Sequence, residues 1–147
     1  MSFKSFEELD CWKVAREVKQ LIRSISKKLP PSEKYDLVDN MTRAARSVTR
    51  NIAEGFGRYT YKENIRFCLI ARGSLIELID DMITCHEEKY ISDNEYSEAR
   101  KLIDRAAAVL NGYINYLDRE DLNKNSNASE NFYPILPEPD LRITINE

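Results

Sequence analysis

The five prolines of this chain sit in two places, at Pro30-Pro31 and at Pro134, Pro137 and Pro139. Proline removes an amide donor and clashes with the preceding helical turn. Between Tyr35 and Glu120, only turn residues and the chain's four glycines can interrupt a helix. So long a proline-free stretch favours long helices. Three S/T-x-x-E patterns, Ser5/Glu8, Thr60/Glu63 and Ser92/Glu95, mark where helices start. In this capping box the hydroxyl and the carboxylate each satisfy an amide left free at a helix N-terminus.

Apolar spacing divides the chain into four segments. The first starts at Ser5 and carries Leu9, Trp12, Ala15, Ile22, Ile25 and Leu29 on one face, which Cys11, Val14, Val18 and Leu21 widen, and Pro30-Pro31 stops it. The second runs from near Ser32 to Glu54, with Val38, Met41, Ala45, Val48 and Ile52 as its seam. Gly55 then stands where a left-handed C-cap is common. The third runs from Thr60 to about Lys89 and is apolar around most of its circumference, which predicts burial on several sides. Gly73-Ser74 interrupts it and predicts a close helix crossing there. The fourth opens at Ser92, keeps Ala99, Leu102, Ala106, Val109, Tyr113 and Leu117 inward with Ile103 and Leu110 beside them, and ends near Arg119. Short connections between four helices predict an all-α, antiparallel up-down four-helix bundle over residues 1–120.

Residues 121–147 read as a flexible or partner-docked, non-helical tail. NKNSNASEN lacks periodicity, and FYPILPEPDLRITINE is broken by proline. Leu141 to Ile145 has the composition of a short strand without a partner strand, and Asn127-Ala128-Ser129 matches a glycosylation sequon.

Composition narrows the function classes. The chain has 147 residues, enough for one domain with one core. No apolar run approaches the roughly 20 residues of a spanning helix, and MSFKSFEELD lacks the apolar centre of a signal peptide, so the expected compartment is the cytoplasm, with no membrane partner. Cys11, Cys68 and Cys85 have no metal-like spacing and read as reduced, packed thiols. The single histidine, His86, has Ile83 three residues before it, so the Glu-x-x-His motif of di-metal bundles is absent. His86 reads as structural or exposed rather than as a metal ligand. EGFGR follows a helix, not a strand, and matches neither phosphate-binding glycine fingerprint. No catalytic residue, metal site or cofactor is expected, and the chain reads as a non-enzyme.

Charge is the remaining signal. Arg43 to Arg72 holds seven basic residues against Glu54 and Glu63, a net of +5. Gly73 to Glu98 holds eight acidic residues against Lys89, a net of −7. Such asymmetry suits an anionic partner or charge-complementary self-association. Arg43, Arg46 and Arg50 form one stripe of the second helix, and Asn40, Ser47, Asn51 and Glu54 form another. The bland reading makes the first a solvated face and the second a buried polar network. Arg58, Lys62 and Arg66 extend the positive charge across the turn. Tyr59 and Tyr61 interleave with them, as stacking groups do in single-strand binders. Arg43, Arg46, Arg50, Arg58, Lys62 and Arg66 are therefore the candidate nucleic-acid-binding residues.

MTRAARSVTRNIAEGFGRYTYKENIRFCLIARGSLIEL and, upstream, FEELDCWKVAREV resemble the signature and opening helix of the four-helix-bundle proteins of the 23S rRNA intervening-sequence family. The resemblance spans about Phe6 to Leu117. Asn51, Glu54, Gly55, Gly57, Arg58, Arg66, Gly73, Ser74 and Glu77 fall on matching positions and read mostly as architectural, while Arg43, Arg46 and Arg58 are the matching positions we assign to an anionic surface contact. The chain departs from the pattern at Thr49, where many members carry proline, and at Cys68 and Arg72. The resemblance implies a small bacterial bundle without catalytic activity. It also implies relatedness to accessory proteins of diversity-generating retroelements, which form homopentamers, bind nucleic acid and associate with a reverse transcriptase. The expected function is thus a homo-oligomer, a pentamer by resemblance, that binds structured RNA or a ribonucleoprotein. The alternative is a protein-interaction scaffold docking a reverse transcriptase or another partner. Arg72 should reach a subunit interface or pair with Glu77 or Asp80.

Overall fold

The computed structural model describes residues 2–132, with side chains over 2–127. Four helices account for most of it: α1 (Asp10–Ser26), α2 (Leu37–Phe56), α3 (Tyr61–Glu87) and α4 (Asp93–Phe132). Single 3-10 turns at Phe6–Glu8 and Pro31–Glu33 precede α1 and α2. α1 packs on α2 and α4, and α3 packs on α2 and α4, with no direct packing across either diagonal. This is the square of an up-down bundle, and no strand is present among the described residues.

The core follows the expected spacing. Val14, Val18, Ile22 and Ile25 of α1 meet Met41, Ala45, Val48 and Ile52 of α2, all buried. α3 adds Cys68, Ala71, Leu75, Leu78 and Met82, and α4 adds Ala99, Ile103, Ala106 and Leu110. Burial of side chains this size is the main favourable term in folding. It also pushes the three thiols up, Cys11 and Cys68 to about 12 and Cys85 to about 11, chiefly by desolvation.

The capping box closes fully at Ser92/Glu95, where the Ser92 amide also donates to the Glu95 carboxylate at 3.2 Å, and forms its hydroxyl half at Thr60/Glu63. Thr60 Oγ1 accepts from the Glu63 amide at 3.2 Å, and Ser92 Oγ accepts from the Glu95 amide at 3.1 Å. Ser5 instead caps the first 3-10 turn, accepting from the Glu7 amide at 3.2 Å. α1 begins only at Asp10 and ends at Ser26, before Pro30-Pro31. α2 begins at Leu37 rather than near Ser32, because Pro31 opens a separate 3-10 turn.

The glycines take other roles than their spacing suggests. No glycine has positive φ, and Gly55 lies inside α2, buried, while Gly57 caps the helix with φ −79°. A Cβ at Gly55 would stand 2.7 Å from Asn64 Oδ1, 2.9 Å from the Asn64 carbonyl and 3.0 Å from Phe67 Cβ. The close helix approach therefore lies at Gly55, where α2 meets the start of α3. At Gly73 nothing lies within 4 Å of such a Cβ.

α4 does not end near Arg119 but continues to Phe132. No proline or glycine lies between Gly112 and Pro134 to stop it. A solvated helix needs no apolar stripe, so the end of apolar periodicity is not the end of the helix. Asn125 donates to Asp121 at 3.4 Å and Ser126 donates to the Leu122 carbonyl at 3.0 Å along this extension. The first residues of the expected non-helical tail are thus helical. The expected strand at Leu141 to Ile145 and any docking of the tail lie outside the described residues.

Candidate nucleic-acid interface

The α2 arginines line one bank of an open groove of about 990 Å3 between α2 and α3. Arg43, Arg46 and Arg50 stand on the α2 side, and Glu77, Asp80 and Asp81 stand on the α3 side with Ile70, Gly73 and Ile76. The floor is polar. Asn51 Nδ2 donates to the Ser47 carbonyl at 2.8 Å and to Ser47 Oγ at 2.9 Å, and the Ser74 hydroxyl donates to Ser47 Oγ at 2.8 Å. The expected buried network thus reduces to Ser47 and Asn51, joined by Ser74. Asn40 and Glu54 are exposed.

Two further hollows continue this groove. Arg50 is shared with a hollow that also holds Ala53, Glu54, Gly57 and Arg58. Arg58 is shared in turn with a cleft of about 460 Å3 lined by Phe3, Phe56, Tyr59, Tyr61, Tyr113, Tyr116 and Lys124 among others. Arg43, Arg46, Arg50 and Arg58 therefore follow one another along a single course, from the groove, past the end of α2, into the cleft. Arg66 joins at Phe67, whose ring lies 4.7 Å from the Arg58 guanidinium and 5.1 Å from that of Arg66. Lys62, one turn before Arg66 on α3, is exposed and lines none of these three hollows.

The basic groups differ in availability. Arg43 pairs with Asp39 at 2.5 Å and Arg58 with Glu54 at 2.8 Å. Among the described residues, no ion pair includes Arg46, Arg50, Lys62 or Arg66. Arg72 does not pair with Glu77 or Asp80; its Nη1 donates to Asn111 Oδ1 of α4 at 3.1 Å. Across the groove, Asp81 is pushed up to about 6, first by desolvation and then by Asp80 and Glu77.

Sequence spacing singles out Arg58, Tyr59 and Tyr61 of the cleft but not the cleft itself. Its walls come from the N-terminus, the α2–α3 turn and α4, and Lys124 sits in the aperiodic stretch that reads as a tail. Asn64, buried beneath it, donates from Nδ2 to the Tyr113 hydroxyl at 3.1 Å and accepts from the Cys68 thiol at 3.6 Å. The Tyr113 hydroxyl is pushed up to about 12 by desolvation. His86 stacks on Tyr96 with ring centroids 4.7 Å apart, and its Nε2 lies 2.6 Å from Asp93. Among the described residues no group of three or more His, Cys, Asp or Glu side chains is placed to hold a metal ion, and no helix is long and apolar enough to cross a membrane.

Residues 7–112 match the family model described as 23S rRNA-intervening sequence protein. No curated protein matches the chain. Among solved structures, the chain is similar to a protein of unknown function from the S23 ribosomal protein family of Bacteroides thetaiotaomicron. The TM-score is 0.66 at 18% identity, over 71% of this chain and 97% of that one. At that identity the likeness concerns the fold alone.

Proposed function

The chain belongs to the 23S rRNA-intervening sequence protein family, and from that premise we propose that it is a non-enzymatic, self-associating cytoplasmic bundle that binds structured RNA or a ribonucleoprotein through its basic surface. One observation carries this reading: Arg50 and Arg58 each belong to two neighbouring hollows, so the α2 arginines and the turn arginine follow a single course. A phosphate backbone is an extended anion and suits such a course. Arginine forks fit phosphate oxygens bidentately. Contacts of this kind give affinity, strong salt dependence and little sequence preference. Self-association multiplies a modest site through avidity; by resemblance the assembly is a homopentamer.

A second reading, a docking scaffold for a reverse transcriptase or another protein, draws on α3. Leu69, Ile70 and Ile76 are 41%, 45% and 58% exposed on this helix. Exposed apolar groups gathered on one element suit protein contact.

Titration of a labelled RNA hairpin by anisotropy at about 0.15 M salt tests the RNA reading. Arg46→Glu/Arg50→Glu is the informative pair, because neither residue is engaged with a carboxylate. We expect at least about tenfold weaker binding and a salt slope shallower by about one unit for each phosphate no longer neutralised. Undetectable binding by the native protein, or an unchanged double variant, overturns it.

A further inference from the structure

Resting on that RNA-binding reading, we infer that the cleft at the α2–α3 end of the bundle holds an unpaired nucleobase of the bound nucleic acid. The base stacks on the cleft's tyrosines while Arg58 and Lys124 meet the adjoining phosphates.

The first support is the chemistry of the walls. Phe56, Tyr59, Tyr61, Tyr113 and Tyr116 supply aromatic surface, and the cleft's volume of about 460 Å3 lies within the range of small-molecule sites. The lining holds two cations, Lys124 and the Glu54-paired Arg58, and no carboxylate of its own. The α2–α3 groove differs, with Glu54, Glu77, Asp80 and Asp81 along it. An occupant that is flat on one part and anionic on the next satisfies both kinds of wall. A nucleotide has that form; an aliphatic or cationic ligand does not.

The second support is Tyr59, which is 95% exposed. Its ring adds nothing to the core. It stands in a four-residue turn between fixed ends, the Gly57 cap of α2 and the Thr60 cap of α3. Every base has a π-face, so an aromatic platform of this kind accepts any unpaired base. Asn64 and Tyr113, hydrogen-bonded to each other at 3.1 Å, add polar groups to the same lining. The third support is continuity. Arg58 belongs both to the cleft and to the hollow it shares with Arg50, so a strand whose base enters the cleft leads its backbone toward the α2 arginines. A blunt duplex keeps its bases stacked inside and cannot enter.

The test uses the full chain and two RNAs with equal phosphate number. One is a hairpin with 2-aminopurine at an unpaired loop position, and the other is a blunt duplex. We expect binding to quench the loop fluorophore. Tyr59→Ala should abolish that quenching and weaken hairpin binding about 5- to 150-fold, with duplex binding unchanged; Tyr59→Phe should retain both. Lys124→Glu should weaken the hairpin selectively. Both side chains are exposed, so unaltered circular dichroism is expected. An unquenched loop base, or a Tyr59→Ala variant that binds both RNAs as the native chain does, overturns the cleft assignment. If Arg46→Glu/Arg50→Glu still weakens both RNAs in that case, the RNA reading stands without it. If the native chain binds neither RNA, both fall.

Discussion

A single methyl group added at residue 55 should cost far more than the same group at residue 73. At Gly55 two of the three nearest neighbours are parts of the chain that do not rotate away, the Asn64 carbonyl at 2.9 Å and Phe67 Cβ at 3.0 Å. Overpacking against backbone costs about 1–3 kcal/mol, so Gly55→Ala should lower the urea midpoint by that measure with the m-value unchanged. At Gly73 the space is open, and alanine removes the entropic cost of glycine inside a helix. Gly73→Ala should therefore stabilise the isolated chain by about 1 kcal/mol. Equal effects at the two sites are incompatible with the geometry. Spacing alone makes Gly55 a cap and places the close crossing at Gly73. A sequence shows that a glycine is costly in a helix. It does not show which side of that helix a neighbour occupies.

At the level of the helix, α3 carries the charge that faces the arginines. Of the eight acids between Gly73 and Glu98, three line the groove, Glu77, Asp80 and Asp81. Asp81 sits lowest, half-buried, and burial with its two acidic neighbours raises it from 3.8 to about 6. The folded chain therefore holds this proton more tightly than the unfolded chain. Between these two values the folded state binds more protons, so this group's contribution makes stability fall as pH rises through that window. Above about 6 the whole penalty is present. Asp81→Asn should raise the Tm most above that pH and flatten the native profile below it. A difference between the two proteins that stays constant across the window contradicts the assignment. Capping boxes and helical period made α3 legible from sequence, and the basic run was legible as a run. The facing acids were not, because they lie about thirty residues from the arginines and meet them only once α2 and α3 pack. The cleft was less legible still, since three separate parts of the chain build it.

For the molecule as a whole, the same groove bears on self-association. Leu69, Gly73 and Ile76 step by four and three along one side of α3, and Ile70 lies beside them. No ion pair among the described residues crosses from Arg46 or Arg50 to Glu77, Asp80 or Asp81. Both banks thus retain unpaired charge next to exposed apolar surface. A second copy can cover Leu69, Ile70 and Ile76 of the first and set a basic side chain against its acidic bank, leaving Arg46 and Arg50 to phosphate. A head-to-tail contact of this kind, repeated, closes into a ring when the rotation permits. Charge then favours encounter and register, while the apolar contact supplies holding power. Sedimentation of the native chain at micromolar concentration should give a multiple of 17.2 kDa. Ile76→Glu, which places a carboxylate in the apolar part of that contact, should shift the protein toward a single chain without unfolding it, because Ile76 already faces solvent in the monomer. Added salt should weaken the native assembly more gradually than this substitution does, since only the charged part of the contact is screened. A native chain that sediments as a monomer removes the ring. The RNA titration would then report the contribution of Arg46 and Arg50 without avidity.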